Sequence, residues 1–173
     1  MNFYKLTLIT LFSLVIGFSF SSCDKRNDYW KAATLDFSAV VPVARQDGYF
    51  EQTIRIRNVD IQGYSPSRED MIDIRNIDSW LLLSNLTRLD RISFRIVLDG
   101  DTRVFYEQNG VSGDIQGEFI INNDVYYSLM TEVMNRIRYK GYVDITIVGN
   151  SNISDGGPIE FNFSNNIDIL IRD

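Results

Sequence analysis

The sequence predicts a mostly β protein: a two-layer antiparallel β-sandwich, immunoglobulin-like or related, with one late α-helix near 124–139. Three observations lead there. Apolar and polar residues alternate through most of the chain, which puts one side of each strand in a core and the other in water. Half-buried alternation of this kind belongs to antiparallel sheets, since parallel sheets are buried on both faces. Turn residues separate the runs: Asp47-Gly48, Asp99-Gly100-Asp101, Asn109-Gly110 and Asp155-Gly156-Gly157-Pro158.

The runs follow in order. Leu35, Phe37 and Ala39 alternate with Asp36 and Ser38, and Ile54 and Ile56 with Thr53, Arg55 and Arg57. Segment 71–83 reads both ways. Ile72 and Ile74 alternate with Asp73 and Arg75, yet Met71, Ile74, Ile77, Trp80 and Leu81 fit a helix; the alternation predicts a strand over 71–76. Ile92, Phe94, Ile96 and Leu98 alternate next, and Asp99-Gly100 joins them to 103–106 as a hairpin. In 124–139, Val125, Tyr126, Leu129, Met130, Val133, Met134 and Ile137 form one helical stripe. Asn123 or Asp124 caps its start, Glu132 and Arg136 pair at i,i+4, and Gly141 stops it. Three alternating runs close the chain: Val143, Ile145 and Ile147; Ile159, Phe161 and Phe163; Ile167, Ile169 and Ile171. The expected total is seven or eight strands.

The N-terminus is of a different kind. Lys5 precedes an apolar run over 6–18, followed by Ser19, Phe20, Ser21, Ser22 and Cys23 and then by the polar stretch Asp24-Lys25-Arg26-Asn27-Asp28. The order of positive start, short apolar core and small residues is that of a signal peptide. The core falls short of the ~18 residues of a spanning helix. Ser21-Ser22-Cys23 resembles a bacterial lipoprotein processing site, although Phe20 stands where an aliphatic residue is usual. The resemblance implies cleavage before Cys23 and lipid attachment to its sulfur. The expected organisation is therefore a signal peptide over 1–22, a lipidated tether over 23–33 and the sandwich over 34–173. Removal of the first 22 of 173 residues leaves 151, and the chain loses Lys5 among its charges.

Composition excludes several chemistries. There is no His and one Cys, so there is no Ser-His-Asp triad, imidazole ligand, internal disulfide or thiolate cluster. A Ser-Lys pair has little to draw on, because Lys25, Lys31 and Lys140 are the lysines left after position 22. The formal net charge of -6 argues against nucleic acid as a partner. Calcium takes oxygen ligands, and Asp99-Gly100-Asp101, Asn122-Asn123-Asp124 and 150–155 offer them, but none has the EF-hand pattern. No cofactor and no metal are expected. Carboxylate-pair hydrolysis needs two acids facing across a cleft, whereas Asp36, Asp144, Glu160 and Asp168 fall on solvent faces of strands. Arg55, Arg57, Arg95 and Arg103 would form a cationic stripe if their strands adjoin, or pair across strands with acids. Trp30, Tyr49, Tyr64, Tyr106 and Tyr127 fall outside core faces and could stack on sugars.

The layout of lipid-attachment Cys, polar tether, sandwich and late helix leading into Gly-Tyr-Val-Asp-Ile-Thr-Ile resembles the small β-sandwich lipoproteins of Bacteroidota-type envelopes, and more weakly the LEA-14-like sandwich. The first resemblance implies a cell-envelope location, at the outer membrane or cell surface ahead of the inner membrane, with the membrane as partner through the anchor. The expected function is a non-catalytic binding or interaction domain meeting an envelope protein or glycan. A surface glycan-binding module and a small carboxylate-dependent hydrolase are the alternatives. Cys23 is the one site residue, as the lipid attachment point.

Overall fold

A computed structural model describes residues 27–44, 46–153 and 157–172. The expected signal peptide over 1–22 and Cys23 lie outside the described residues. Nine strands and one helix follow in the order β1 (Asp28–Thr34), β2 (Phe37–Val41), β3 (Tyr49–Arg57), β4 (Asp70–Ser84), β5 (Ile92–Leu98), β6 (Tyr106–Val111), β7 (Phe119–Ile121), α1 (Asp124–Lys140), β8 (Tyr142–Ser151) and β9 (Ile159–Arg172). They make the predicted two-layer antiparallel sandwich. One sheet runs β1-β9-β4-β7 with β2 also on β9, and the other runs β3-β8-β5-β6.

The central strand of the first sheet is β9. The runs at 159–163 and 167–171 are one strand, because the inward phase continues through Asn165. Opposite it, β1 and β2 share a single register, with Asp28 facing Arg172 and Val41 facing Ile159. They are one edge interrupted at Leu35-Asp36. There the Leu35 amide donates to the Asn165 carbonyl, the Asn165 side chain donates to the Leu35 carbonyl at 2.6 Å, and the Asp36 carboxylate accepts from the Asn165 amide. This takes 28–33, expected as tether, into the sheet. A polar opening stretch hides the strand from an alternation search, yet Ala33 is buried and the ladder on β9 is continuous.

The ambiguous segment is strand throughout. Its register on β9 slips by one residue between Met71 and Asp73 and again between Asn76 and Asp78. A bulge inserts one unpaired residue and reverses the alternation that follows. Ile74 and Asn76 therefore face inward, Ile77 turns out, and Ser79, Leu81 and Leu83 face inward again. The two slips mimic helical spacing in the sequence.

The helix forms as expected. The Asn123 side chain accepts from the Tyr126 amide, Gly141 takes φ 78° as the left-handed stop, and Arg136 donates to Glu132 at 2.9 Å. Tyr126, Leu129, Met130, Val133, Met134 and Ile137 are buried against β4, β8 and β6, while Val125 is exposed. The helix thus closes one side of the sandwich, where β7 pairs with only Leu81, Leu82 and Leu83 of β4. The hairpin after Asp99-Gly100 also forms, but its second strand starts at Tyr106 rather than at 103. The core holds Phe50, Phe94, Phe161 and Phe163 with the aliphatic inner faces of both sheets.

Candidate functional site: the loop end of the sandwich

The strand directions define two ends. At one, β1 starts, β9 finishes and β4 starts, in the row Asp28, Arg172 and Asp70. Arg138 of the last helical turn donates to Asp73 at 2.7 Å, and the Asn58 amide donates to the Gly141 carbonyl. These contacts bring the helix C-terminus and the Arg57–Tyr142 row of the second sheet to the same end. At the other end the connections β2–β3, β4–β5, β6–β7 and β8–β9 join the two layers.

The first end is held by charge. Every ion pair between described residues lies in this half: Lys31–Glu69, Arg55–Asp144, Arg57–Asp60, Arg138–Asp73, Arg172–Asp28 and a cluster on Asp99. Asp99 has a φ of 53° and accepts from Arg136 at 3.0 Å, Lys140 at 2.6 Å and the Asp144 amide at 2.9 Å. Burial pushes its carboxyl up, but the Lys140, Asp144 and Arg136 donors bring it below the ordinary carboxylate value. Asp99 is thus a strut joining hairpin, helix and β8, which accounts for its Asp-Gly-Asp context without a cation. Asn123, from the second oxygen-rich run, is the helix cap.

The loop end is held by backbone. Leu86 is buried, its amide donates to the Gly117 carbonyl, and the Gly113 amide donates to the Thr87 carbonyl. A methyl on Gly117, which has φ 81°, would stand 2.8 Å from the Leu86 carbonyl oxygen. Asn152 ties the loops together: its side chain accepts from the Arg91 amide at 2.5 Å and donates to the Leu89 carbonyl at 3.1 Å. Thr87 and Asp90 close the turn between them, the carboxylate accepting the Thr87 amide. These contacts leave a cavity of about 450 Å³ lined by Asn85, Thr87, Leu89, Asp90, Asn152, Ile153, Gly157 and Pro158. Leu89 is 82% exposed at its rim and Ile115, in the neighbouring loop, 76% exposed. A cavity with amide and hydroxyl groups around apolar side chains, set on loops already hydrogen-bonded into place, is suited to binding. Its one carboxylate, Asp90, is engaged with the Thr87 amide.

The residues singled out from sequence do not gather at one place. Arg55 pairs in two-pronged fashion with Asp144 and stacks over Tyr142, while Arg57 pairs with Asp60. Arg103 lies over Phe105. The expected cationic stripe is therefore largely neutralised. Arg95 does border a second, shallower cavity of about 320 Å³ on the outer face of the second sheet, with Tyr49, Ser93, Glu107, Asn109 and Asn150. Among the aromatics, Trp30 lies on β1 under Arg75 at 3.8 Å. Tyr49 donates to Glu51, Tyr64 to the Glu69 carbonyl, and Tyr127 to the Asn76 carbonyl. Tyr106 is buried edge-on to Tyr126. These five form no common platform. The carboxylates with resolved shifts, Asp28, Glu69, Asp99, Asp114 and Asp144, all titrate below their ordinary values, opposite to a general acid. Asp36 and Glu160 accept hydrogen bonds from Asn165 and Ser84. The loop cavity was not read from sequence, since two connections more than sixty residues apart in the chain line it.

No family model and no curated protein matches the chain. Among solved structures, it is similar to that of Desmodium yellow mottle tymovirus, with a TM-score of 0.34 and 4% identity over 83% of this chain and 90% of that one. It is similar to the BFDV capsid protein with a TM-score of 0.38 and 9% identity, over 84% of this chain and 98% of that one. An infectious bursal disease virus (Gx strain) structure matches with a TM-score of 0.32 and 15% identity, over 85% of this chain and 33% of that one. At these scores and identities no property of those proteins passes to this chain.

Proposed function

We propose that the chain is a non-catalytic binding domain of the bacterial cell envelope, anchored to a membrane through lipid on Cys23, which presents the loop-end cavity to an envelope protein. The observation that carries this reading is the placement of the ends. β1 starts at Asp28, five residues after Cys23, so the anchor leaves from the ion-paired end and the cavity lies at the other. Five residues span at most ~18 Å. An anchored domain that meets a partner needs its binding surface away from the bilayer, and this topology supplies it. The engaged carboxylates and the absence of His support a binding role over a hydrolytic one.

Two experiments test the reading. A clickable fatty acid is expected to label the chain in a bacterial host, and Cys23→Ala to abolish the label and release the protein from the membrane fraction. Persistent labelling of the variant would contradict the anchor. A photoreactive residue at position 89 is expected to give a discrete adduct in envelopes, lost when Asn152→Ala loosens the loop; an adduct indifferent to Asn152 would contradict the site.

The shallow cavity on the second sheet supports a second reading as a glycan module. An exposed tyrosine ring beside Arg95, Asn109 and Asn150 suits the stacking and hydrogen bonding that sugars accept. Saturation transfer from an acidic oligosaccharide that disappears in Arg95→Ala would favour it, and no transfer would remove it.

A further inference from the structure

The ion-paired end carries a second pattern. Six aromatic side chains among the described residues are exposed: Tyr29, Trp30, Tyr49, Tyr127, Tyr139 and Tyr142. Four of them, Tyr29, Trp30, Tyr139 and Tyr142, lie at the end where β1 starts, with Val59 53% exposed among them. They come from different sides of the molecule. Trp30 is on the outer face of the first sheet, Tyr142 on that of the second, Tyr139 at the helix terminus and Val59 in the turn after β3. Together they ring that end.

We infer that this ring is a membrane-interface belt, which seats the domain in the lipid headgroup layer of the bilayer holding the Cys23 anchor. The inference rests on the lipid-anchored reading. Tyrosine and tryptophan favour the headgroup level because their rings are apolar and their polar edges stay wet. Charge at this end fits too. Glu69, Asp28, Asp60, Asp73 and Asp99 each have a Lys or Arg partner, and Asp70 stands exposed opposite Arg172, so most of the acids there are neutralised before they meet lipid phosphates. Arg57 and Lys140 have long side chains that keep their heads wet while the stems lie along the belt. The occupant follows from chain length. With four residues between Cys23 and Asp28, this end is within ~18 Å of the lipid-bearing Cys23. The headgroup layer alone takes up roughly 5–7 Å of that distance.

The chain contains its own depth gauge, because it has two tryptophans. Trp30 faces Leu170 and Trp80 faces Ser164 on the same sheet, so Trp80 stands six residues, about 20 Å, further along β9. The test uses the full lipidated chain in phosphatidylethanolamine–phosphatidylglycerol vesicles carrying brominated acyl chains, which quench tryptophan at short range. Trp80→Phe reports on Trp30, and Trp30→Phe reports on Trp80. Trp30 emission is expected to fall roughly twofold and Trp80 emission to stay within a tenth of its value. In Trp80→Phe, the further changes Tyr139→Ser and Val59→Ser are expected to reduce the Trp30 quench while acylation persists. Acylated protein that floats with vesicles but shows no Trp30 quench, or equal quenching at both positions, overturns the belt and leaves the anchor standing. Protein that carries no acyl group and does not float overturns the anchor reading and the belt with it.

Discussion

The two ends of this sandwich are held by different forces. Where β1 starts, oppositely charged side chains bridge elements that do not pair, and Asp99 alone serves Arg136, Lys140 and the Asp144 amide. At the loop end, backbones approach so closely that glycine is required. A methyl on Gly117 would meet the Leu86 carbonyl oxygen at 2.8 Å, and one on Gly48 would meet the Ser151 carbonyl oxygen at 1.8 Å. The glycines of the charged end have room: nothing lies within 4 Å of a methyl on Gly100. Side-chain charge tolerates movement and responds to salt and pH, whereas backbone packing does neither. A binding site is better built on the second kind of framework, and the charged end suits a surface whose surroundings are already ionic.

The largest expected effect comes from a pair of matched substitutions. Gly117→Ala and Gly100→Ala both place alanine at positive φ, 81° and 68°, so their intrinsic strain is similar. The first also forces a backbone carbonyl aside, and roughly 3 kcal/mol or more is expected, against about 1 kcal/mol for the second. Chemical denaturation measures both, and equal losses would erase the distinction between the ends. Next is Asn152→Ala, which leaves the Arg91 amide and the Leu89 carbonyl without their partner. About 1–3 kcal/mol is expected, with loss of amide protection confined to 85–91.

Asp99→Asn should cost less, about 1–2 kcal/mol, because asparagine tolerates the same backbone conformation and can still accept the Asp144 amide. Its signature is in pH. The folded-state carboxyl is held below its unfolded value, so its stabilisation is complete above that value and lost as pH falls through the folded pKa. Between pH 5 and pH 2 the variant should therefore show a flatter decline in stability than the parent, measured by melting temperature across that range. Parallel curves would show that Asp99 is not the strut.

How much of this was legible in sequence follows from locality. The helix was, down to the Asn123 cap, the Glu132–Arg136 pair and the Gly141 stop, because all its determinants lie within four residues of each other. β5 and β8, with unbroken alternation, were legible for the same reason, while β9 was read as two runs because the polar Asn165 holds the inward phase between them. β4 was obscured by slips at Ile72 and Ile77, which register only against β9. β1 was read as tether because Asp28 and Lys31 are polar, and only their ladder with Arg172 and Ile169 makes them strand. The loop cavity had no signature, since Asn152 acquires its meaning from Arg91 and Leu89, more than sixty residues away in the chain. The ring of exposed aromatics was invisible likewise: Trp30 and Tyr142 belong to different sheets and share one end only in the fold.

The difference between the ends is tested most directly by native-state hydrogen exchange at low and at 1 M sodium chloride. The probes at the charged end are the amides of Asp144, Asp99 and Asn58, and at the loop end those of Leu86, Gly113 and Ser151. High salt screens charges over about 3 Å, so the first set should exchange several-fold faster while the second is unchanged. A uniform response of both sets would contradict the account.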